Sequence, residues 1–238
     1  MASESAAPGL IAFADRAAAA ARLADLLEAQ LGRAIAERGA ARFAISGGST
    51  PAALYRDLSE RDLPWEKVTA VLVDERWVPP GAEGSNESFA RETLARGRAA
   101  DVALVGLWSD APTPADGLAA AEGRIGVEAF DAVVLGLGPD GHTASWFPHA
   151  EGLAGALSKN GPRVAAVRAI PSDVTGAHVD RITLTLGAIA DAGLIAMLIA
   201  GDEKRAAFER VAAPGSVADA PARAVLAARD DMWVCWSP

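Results

Sequence analysis

The apolar positions of the chain follow two alternating rhythms. Short runs rich in β-branched and aliphatic residues, such as LIAFAD (10–15), ARFAIS (41–46), VTAVLV (68–73), FDAVVLG (130–136) and LIAMLIAG (194–201), read as buried strands. ALVGLW (103–108), VAAVRAI (164–170), Ile182 to Leu186 and MWVCW (232–236) add shorter ones. Between them, apolar residues return every three or four positions. From 16 to 39 the side chains of Leu23, Leu27, Leu31 and Ile35 share one face, and Gly39 suits the C-cap. Further helices are expected over 52–60, over 86–96 behind a Ser85 or Asn86 cap, within 112–127, and over 202–212 and 221–229. Glu151 to Gly161 reads as a loop.

Strands that alternate with helices predict an α/β fold: a largely parallel sheet with helices on both faces. No internal repeat or linker divides the chain, so residues 10–238 are read as one domain behind a short disordered lead, 1–9.

Two breaks in this pattern fall just after strands, where open α/β sheets bind ligands. Ser46-Gly47-Gly48-Ser49-Thr50-Pro51 joins a strand to a helix. Its glycines permit close backbone approach, Pro51 suits the first helical turn, and Ser49 or Thr50 suits the cap. Free N–H groups there suit a phosphate or carboxylate, and a well-capped turn with no ligand is the plain alternative. The second break, LGLGPDGHTASWFP (135–148), puts Asp140 and His142 beyond a buried strand. An aspartate can fix the tautomer of a histidine that acts as a general base, whereas a bland loop histidine merely satisfies the backbone. A third strand ends in Asp74-Glu75-Arg76, so Arg76 either meets an anion or pairs with those carboxylates.

Composition narrows the field. The net charge of −9 argues against a nucleic-acid partner and demands a locally positive pocket for any anionic ligand. No apolar stretch reaches the length of a membrane span, and the first ten residues lack the form of a secretory signal. The single cysteine, Cys235, excludes an internal disulfide; it reads as a buried strand thiol and fits a reducing cytoplasm. His142, His149 and His178 lack metal-ligand spacing, and the last two read as exposed loop residues. Lys204 falls in the first turn of its helix.

Taken together, SGGSTP, DERWVP followed by SN, and LGLGPDGHTASWFP resemble the 6-phosphogluconolactonase family in order and spacing. RITLTLGAI and GDEKRAAF extend the likeness over nearly the whole chain from about Leu10. The resemblance implies a modified Rossmann-like α/β fold, shared with glucosamine-6-phosphate deaminases. It also implies hydrolysis of 6-phospho-D-glucono-1,5-lactone to 6-phosphogluconate, the second step of the oxidative pentose phosphate pathway, with no metal or organic cofactor. The related deaminases resemble GHIAFNEP at the second break, with a glutamate five residues after the histidine, where this chain has Phe147. They also favour Asp-Glu-Tyr where this chain has Arg76. Trp146 is a mild departure from the leucine usual in the lactonases.

On that resemblance His142 is the base that activates water, Asp140 orients it, and Arg76 or backbone N–H groups meet the oxyanion. Gly47, Gly48, Ser49, Thr50, Asp74, Lys204 and Arg181 are expected to hold the substrate. Lys204 matches a phosphate-contacting lysine of the deaminases. Arg181 precedes a strand and so is expected at the wrong end of the sheet. Ser145, three residues after His142, can approach it on a helical turn, but no Gly-x-Ser-x-Gly elbow accompanies it. The rival activities are a glucosamine-6-phosphate deaminase or sugar-phosphate isomerase with Asp74 as base. A non-catalytic sugar-phosphate sensor is a further rival, and for that the chain lacks a basic helix-turn-helix. The expected partner is a small sugar-phosphate lactone, for a monomer or weak homo-oligomer. All of this requires the two glycine-bearing bends to face one hollow.

Overall fold

A computed structural model describes residues 9–238; the first eight residues of the expected lead lie outside the described residues. The strands, in chain order, are β1 (Leu10–Ala12), β2 (Ala41–Ile45), β3 (Val68–Leu72), β4 (Asp74–Arg76), β5 (Ala103–Val105), β6 (Ala132–Leu135), β7 (Val164–Arg168), β8 (Asp180–Leu184), β9 (Leu194–Ala200) and β10 (Trp233–Ser237). The helices are α1 (Arg16–Arg38), α2 (Ala52–Leu58), α3 (Asn86–Thr93), α4 (Pro114–Ile125), α5 (Leu153–Ala156), α6 (Leu186–Ile189), α7 (Asp202–Ala212) and α8 (Arg223–Ala228).

Seven strands form one sheet in the order β1-β10-β9-β6-β2-β3-β5. Every pairing within it is parallel. Both faces are covered: all four residues of β6 are buried although their side chains alternate sides. This is why its strands read as continuous apolar runs. The expected α/β architecture is therefore observed. From β2 the chain steps outward to β3 and β5, then returns to the other side of β2 as β6 and continues through β9 to β10. The progression reverses between β2 and β6, and such a reversal opens a crevice at the carboxyl ends of the two strands. The two glycine-bearing bends come directly after those two strands.

Helix α1 forms as its pattern predicts. Leu23, Leu27, Leu31 and Ile35 are buried. Asp15 caps the start by accepting from Ala18 N, and Gly39, at φ 82°, ends the helix with its N–H on Ile35 O. Fully burying one such leucine contributes about 1.5–3 kcal/mol, so this one stripe fixes the helix to the sheet. Cys235 is buried in β10, where loss of solvent pushes its thiol up to about 11.

Three departures from the sequence reading are physical. Strands β4, β8 and β7 leave the main sheet and form a separate antiparallel one. Helix α2 takes Pro51 as its N-cap with no side-chain bond, so neither Ser49 nor Thr50 caps it; Ala52 N donates to Ser49 O instead. The stretch 151–161 contains the single turn α5, entered through Gly152 at φ 84°. A Cβ at Gly152 would stand 2.1 Å from Ala166 O, so only glycine lets this turn approach β7.

Candidate active site

A cleft of about 400 Å³ opens over the β2/β6 crevice. One wall is Ser46, Gly47 and Gly48 after β2; the opposite wall is Gly136 to Pro139 and His142 after β6. Asp74 and Arg76 enter from β4, Arg181 from β8 and Lys204 from α7. The two bends thus share one hollow.

The Asp140–His142 pair is local in origin. Gly141, at φ 87°, turns the chain back so that its N–H bonds Gly138 O, and Gly138 N bonds His142 O. That tight turn brings Asp140 Oδ1 to 2.5 Å from His142 Nδ1 and 3.1 Å from His142 N. An ionised carboxylate only accepts, so Nδ1 carries the proton and Nε2 keeps its lone pair. Burial opposes the Asp140 charge, but the hydrogen bonds from His142 outweigh it and hold the carboxyl below its ordinary range. Gly138 lies against the imidazole, where a Cβ would come within 2.1 Å of Nδ1 and Cε1.

The cations come from separate elements. In the antiparallel pairing of β4 with β8, Arg76 stands directly opposite Arg181. Like charges in such positions repel, and an anion in the cleft would relieve that repulsion. Arg76 forms no ion pair among the described residues; its Nη1 donates to Gly84 O, and its Nε is buried without a partner. The carboxylate-pairing alternative for Arg76 is therefore not observed. Ser46 Oγ, on the opposite wall, is likewise buried and unpartnered.

The expectation that Arg181 lies at the wrong end of a parallel strand fails, because β8 is antiparallel and belongs to the small sheet. Its Nε donates to His178 O and its Nη2 to Thr175 O, 2.7 and 2.8 Å away. Burial lowers the Arg181 guanidinium to about 10, with Asp74 raising it and Arg76 lowering it further. Lys204 reaches across to Thr50 Oγ1 at 3.4 Å, and burial lowers its ammonium as well. Ser49 and Thr50 stand behind the cleft wall, Ser49 bordering a neighbouring hollow that shares Gly48, Arg76 and Asn86.

Two residues shape this site through contacts that the sequence does not indicate. The sequence offers Asn86 as a helix cap and as part of the Ser85-Asn86 motif; the cap is Ser85, which accepts from Ser88 N. Asn86 instead donates its Nδ2 to Asp74 O at 2.8 Å and to Asp74 Oδ1 at 3.3 Å. It fits because position 47 is glycine: a Cβ there would lie 2.0 Å from Asn86 Oδ1. Glu75 turns inward and accepts from Arg76 N, Asn86 N, Glu87 N and Ser85 Oγ, tying β4 to the start of α3. Burial pushes its carboxyl up to about 7 against the pull of those donors.

Ser145 is not beside His142. Residues 143–146 form a tight turn with Ala144 at φ 51°, which sends the Ser145 hydroxyl to Asp74 Oδ2, 2.5 Å away. Ser145 is fully buried and does not border the cleft, so it is not placed to attack a substrate. Trp146 is fully buried and donates its Nε1 to Leu184 O, which anchors the turn to the small sheet. Phe147 packs on His142 with ring centroids 4.4 Å apart, and the Arg181 guanidinium lies 5.4 Å from its ring centre. His149 is exposed and pairs with Asp219 at 2.9 Å; His178 is half-buried beside Gly84.

A reversed α/β crevice lined by a carboxylate-held histidine and three cations defines a class: α/β proteins whose cleft suits a small anionic ligand. Residues 14–236 match the family model of glucosamine-6-phosphate isomerases/6-phosphogluconolactonase. The chain is 41% identical over 230 residues to a 6-phosphogluconolactonase of Rhizobium meliloti, covering 95% of this chain and 97% of that one. It superposes on a crystal structure of a 6-phosphogluconolactonase from Shewanella baltica with a TM-score of 0.91 and 35% identity, covering 97% and 98% of the two chains. A monomeric glucosamine-6-phosphate deaminase shares the fold at a TM-score of 0.76 and 18% identity, over 96% of each chain. This protein belongs to the glucosamine-6-phosphate isomerase/6-phosphogluconolactonase family.

Proposed function

We propose that this protein is a 6-phosphogluconolactonase, hydrolysing 6-phospho-D-glucono-1,5-lactone to 6-phosphogluconate. The observation that carries the reading is the meeting, in one cleft, of the Asp140–His142 pair with Arg76, Arg181 and Lys204. Three cations supply the local positive field that an anionic substrate needs on a chain of net charge −9.

In this reading the phosphate lies toward Gly47, Gly48 and Lys204, with Arg181 on its far side, and Ser49 and Thr50 contribute through the backbone of the turn. His142 Nε2 takes a proton from water as its oxygen attacks C1. The carbonyl pair moves to oxygen, and Arg76 or the N–H groups of the glycine bends stabilise that oxyanion. When the carbonyl reforms, the C1–O5 bond breaks and the imidazolium gives its proton to the departing ring oxygen. The carboxylic acid product then ionises and releases one proton to solvent. Asp140 holds the imidazole through both transfers, and Asp74 accepts a hydroxyl of the sugar.

The site chemistry favours this reaction over deamination. Where the related deaminases carry a glutamate, Phe147 is buried against the imidazole and offers no proton acceptor. No described helix is long and apolar enough to cross a membrane. The same reading has residues 10–238 working as one domain in the cytoplasm, as a monomer or weak homo-oligomer without nucleic acid, which light scattering on the purified protein checks. The deciding assay compares lactone hydrolysis above its spontaneous rate with ammonia release from glucosamine 6-phosphate. Catalysed hydrolysis without ammonia is expected; ammonia release without catalysed hydrolysis overturns the assignment.

A further inference from the structure

Asp74 is held in an unusual way for a carboxylate that borders a cleft. It is 7% exposed and makes no ion pair among the described residues, although Arg76 and Arg181 share its wall. Its Oδ2 is bound by the Ser145 hydroxyl at 2.5 Å, the short distance of a charge-assisted O–H···O bond. Its Oδ1 receives only the long 3.3 Å contact from Asn86. The two ends of the Ser145 bond come from different parts of the fold. Asp74 is the first residue of β4 in the small antiparallel sheet, whereas Ser145 belongs to the turn that comes after β6 and carries His142.

The donor itself is fixed. Ser145 N donates to Thr183 Oγ1 at 3.4 Å, and the next residue is pinned by the Trp146 bond to Leu184 O. Both anchors lie on β8, between β4 and β7. A serine hydroxyl has one proton to give, and here it goes to the carboxylate. Removing it would leave a buried carboxylate oxygen unsatisfied, which a side chain relieves by rotating away or by taking up a proton.

We propose that Ser145 is a positioning residue of the active site. Its bond to Oδ2 fixes the Asp74 carboxylate so that Oδ1 accepts a ring hydroxyl of the substrate, and it keeps that acceptor in register with His142 on the same turn. The class of substrate this selects is a polyhydroxylated lactone. An acceptor that is already oriented loses little freedom when the hydroxyl arrives, and that is where an oriented hydrogen bond contributes to specificity. The inference rests on the lactonase reading above.

The test is a double-mutant cycle on the full chain. Wild type, Ser145→Ala, Asp74→Ala and the double variant are assayed with 6-phosphogluconolactone, and the fold of each is checked by circular dichroism and melting. Ser145→Ala should lower kcat/KM on the order of 10- to 100-fold in the wild-type background and have less than about a twofold effect once Asp74 is alanine, because a positioning residue acts only through its partner. Ser145→Thr, which keeps the hydroxyl, should restore most of the loss. If Ser145→Ala does not fold, Ser145→Cys, whose larger thiol is a much weaker donor, takes its place in the cycle. The proposal is overturned if the two losses multiply, if Asp74→Ala leaves kcat/KM unchanged, or if the serine variant retains wild-type turnover. A wild-type protein without lactonase activity would instead refute the underlying reading, and the first arm of the same experiment shows it.

Discussion

Gly138→Ala tests the placement of the imidazole proposed as the base. The backbone at 138 does not adopt a positive φ, so an alanine meets no left-handed strain there. The new methyl meets the base itself: 2.1 Å to His142 Cε1 and Nδ1, and 2.7 Å to Asp140 Oδ1. Carbon atoms rest about 3.5–4.0 Å apart, so the ring must retreat by roughly 1.4 Å or more. The Asp140–His142 contact, 2.5 Å long, has no slack to move with it intact. A misplacement of about 1 Å at a reacting group costs on the order of 10²-fold in rate, equivalent to about 2.7 kcal/mol of barrier. The proposed phosphate contacts lie on other elements, so KM should remain within about threefold of wild type. Each turnover releases one proton, so a pH-stat trace corrected for spontaneous hydrolysis reads the rate directly. A folded variant whose kcat stays within about twofold of wild type would refute the claim that the imidazole must sit where Gly138 leaves room for it.

Other consequences of the same geometry can be measured alongside. His142→Ala should lower kcat on the order of 10²- to 10⁴-fold, and a near-normal rate excludes it as the base. Lys204→Ala should raise KM for the phosphorylated lactone far more than for glucono-1,5-lactone; equal effects on both remove the phosphate role. For Glu75 the folded carboxyl is raised to about 7 from an ordinary value of 4.5, so its contribution to stability is full below about 4.5 and is lost as pH rises through about 7. Glu75→Gln has no such titration, so its melting temperature relative to wild type should climb across that window. A difference that is flat or falls with pH would show that the four donors around Glu75 keep it ionised.

Much of this molecule was legible before any coordinate. Helix α1, its apolar face and its Gly39 cap result from spacing alone, because a helix brings residues four apart onto one side wherever the rest of the chain lies. The two bends were legible for a related reason: glycine and proline interrupt an apolar run by local sterics, and a strand that ends in such a break leaves the next few residues exposed at its carboxyl end. Asp140 and His142 meet within three residues, so their contact is also a local matter.

The rest was decided over distance. A three-residue strand such as Asp74–Arg76 carries no periodicity that says which sheet it joins, and its antiparallel pairing with β8 is what sets Arg181 opposite Arg76. Ser145 lies 71 positions from Asp74, and its sequence spacing pointed to His142 instead; only the backbone turn at Ala144 redirects it. Asn86 enters the site because Gly47 vacates the space, a complementarity between two residues that neither reveals alone. Local chemistry therefore wrote the bends and the Asp140–His142 pair, since backbone torsion and helical spacing act within a few residues. Packing selected the acceptor and the arginine pair, since a hydrogen bond or a cross-strand contact exists only once distant segments share a surface.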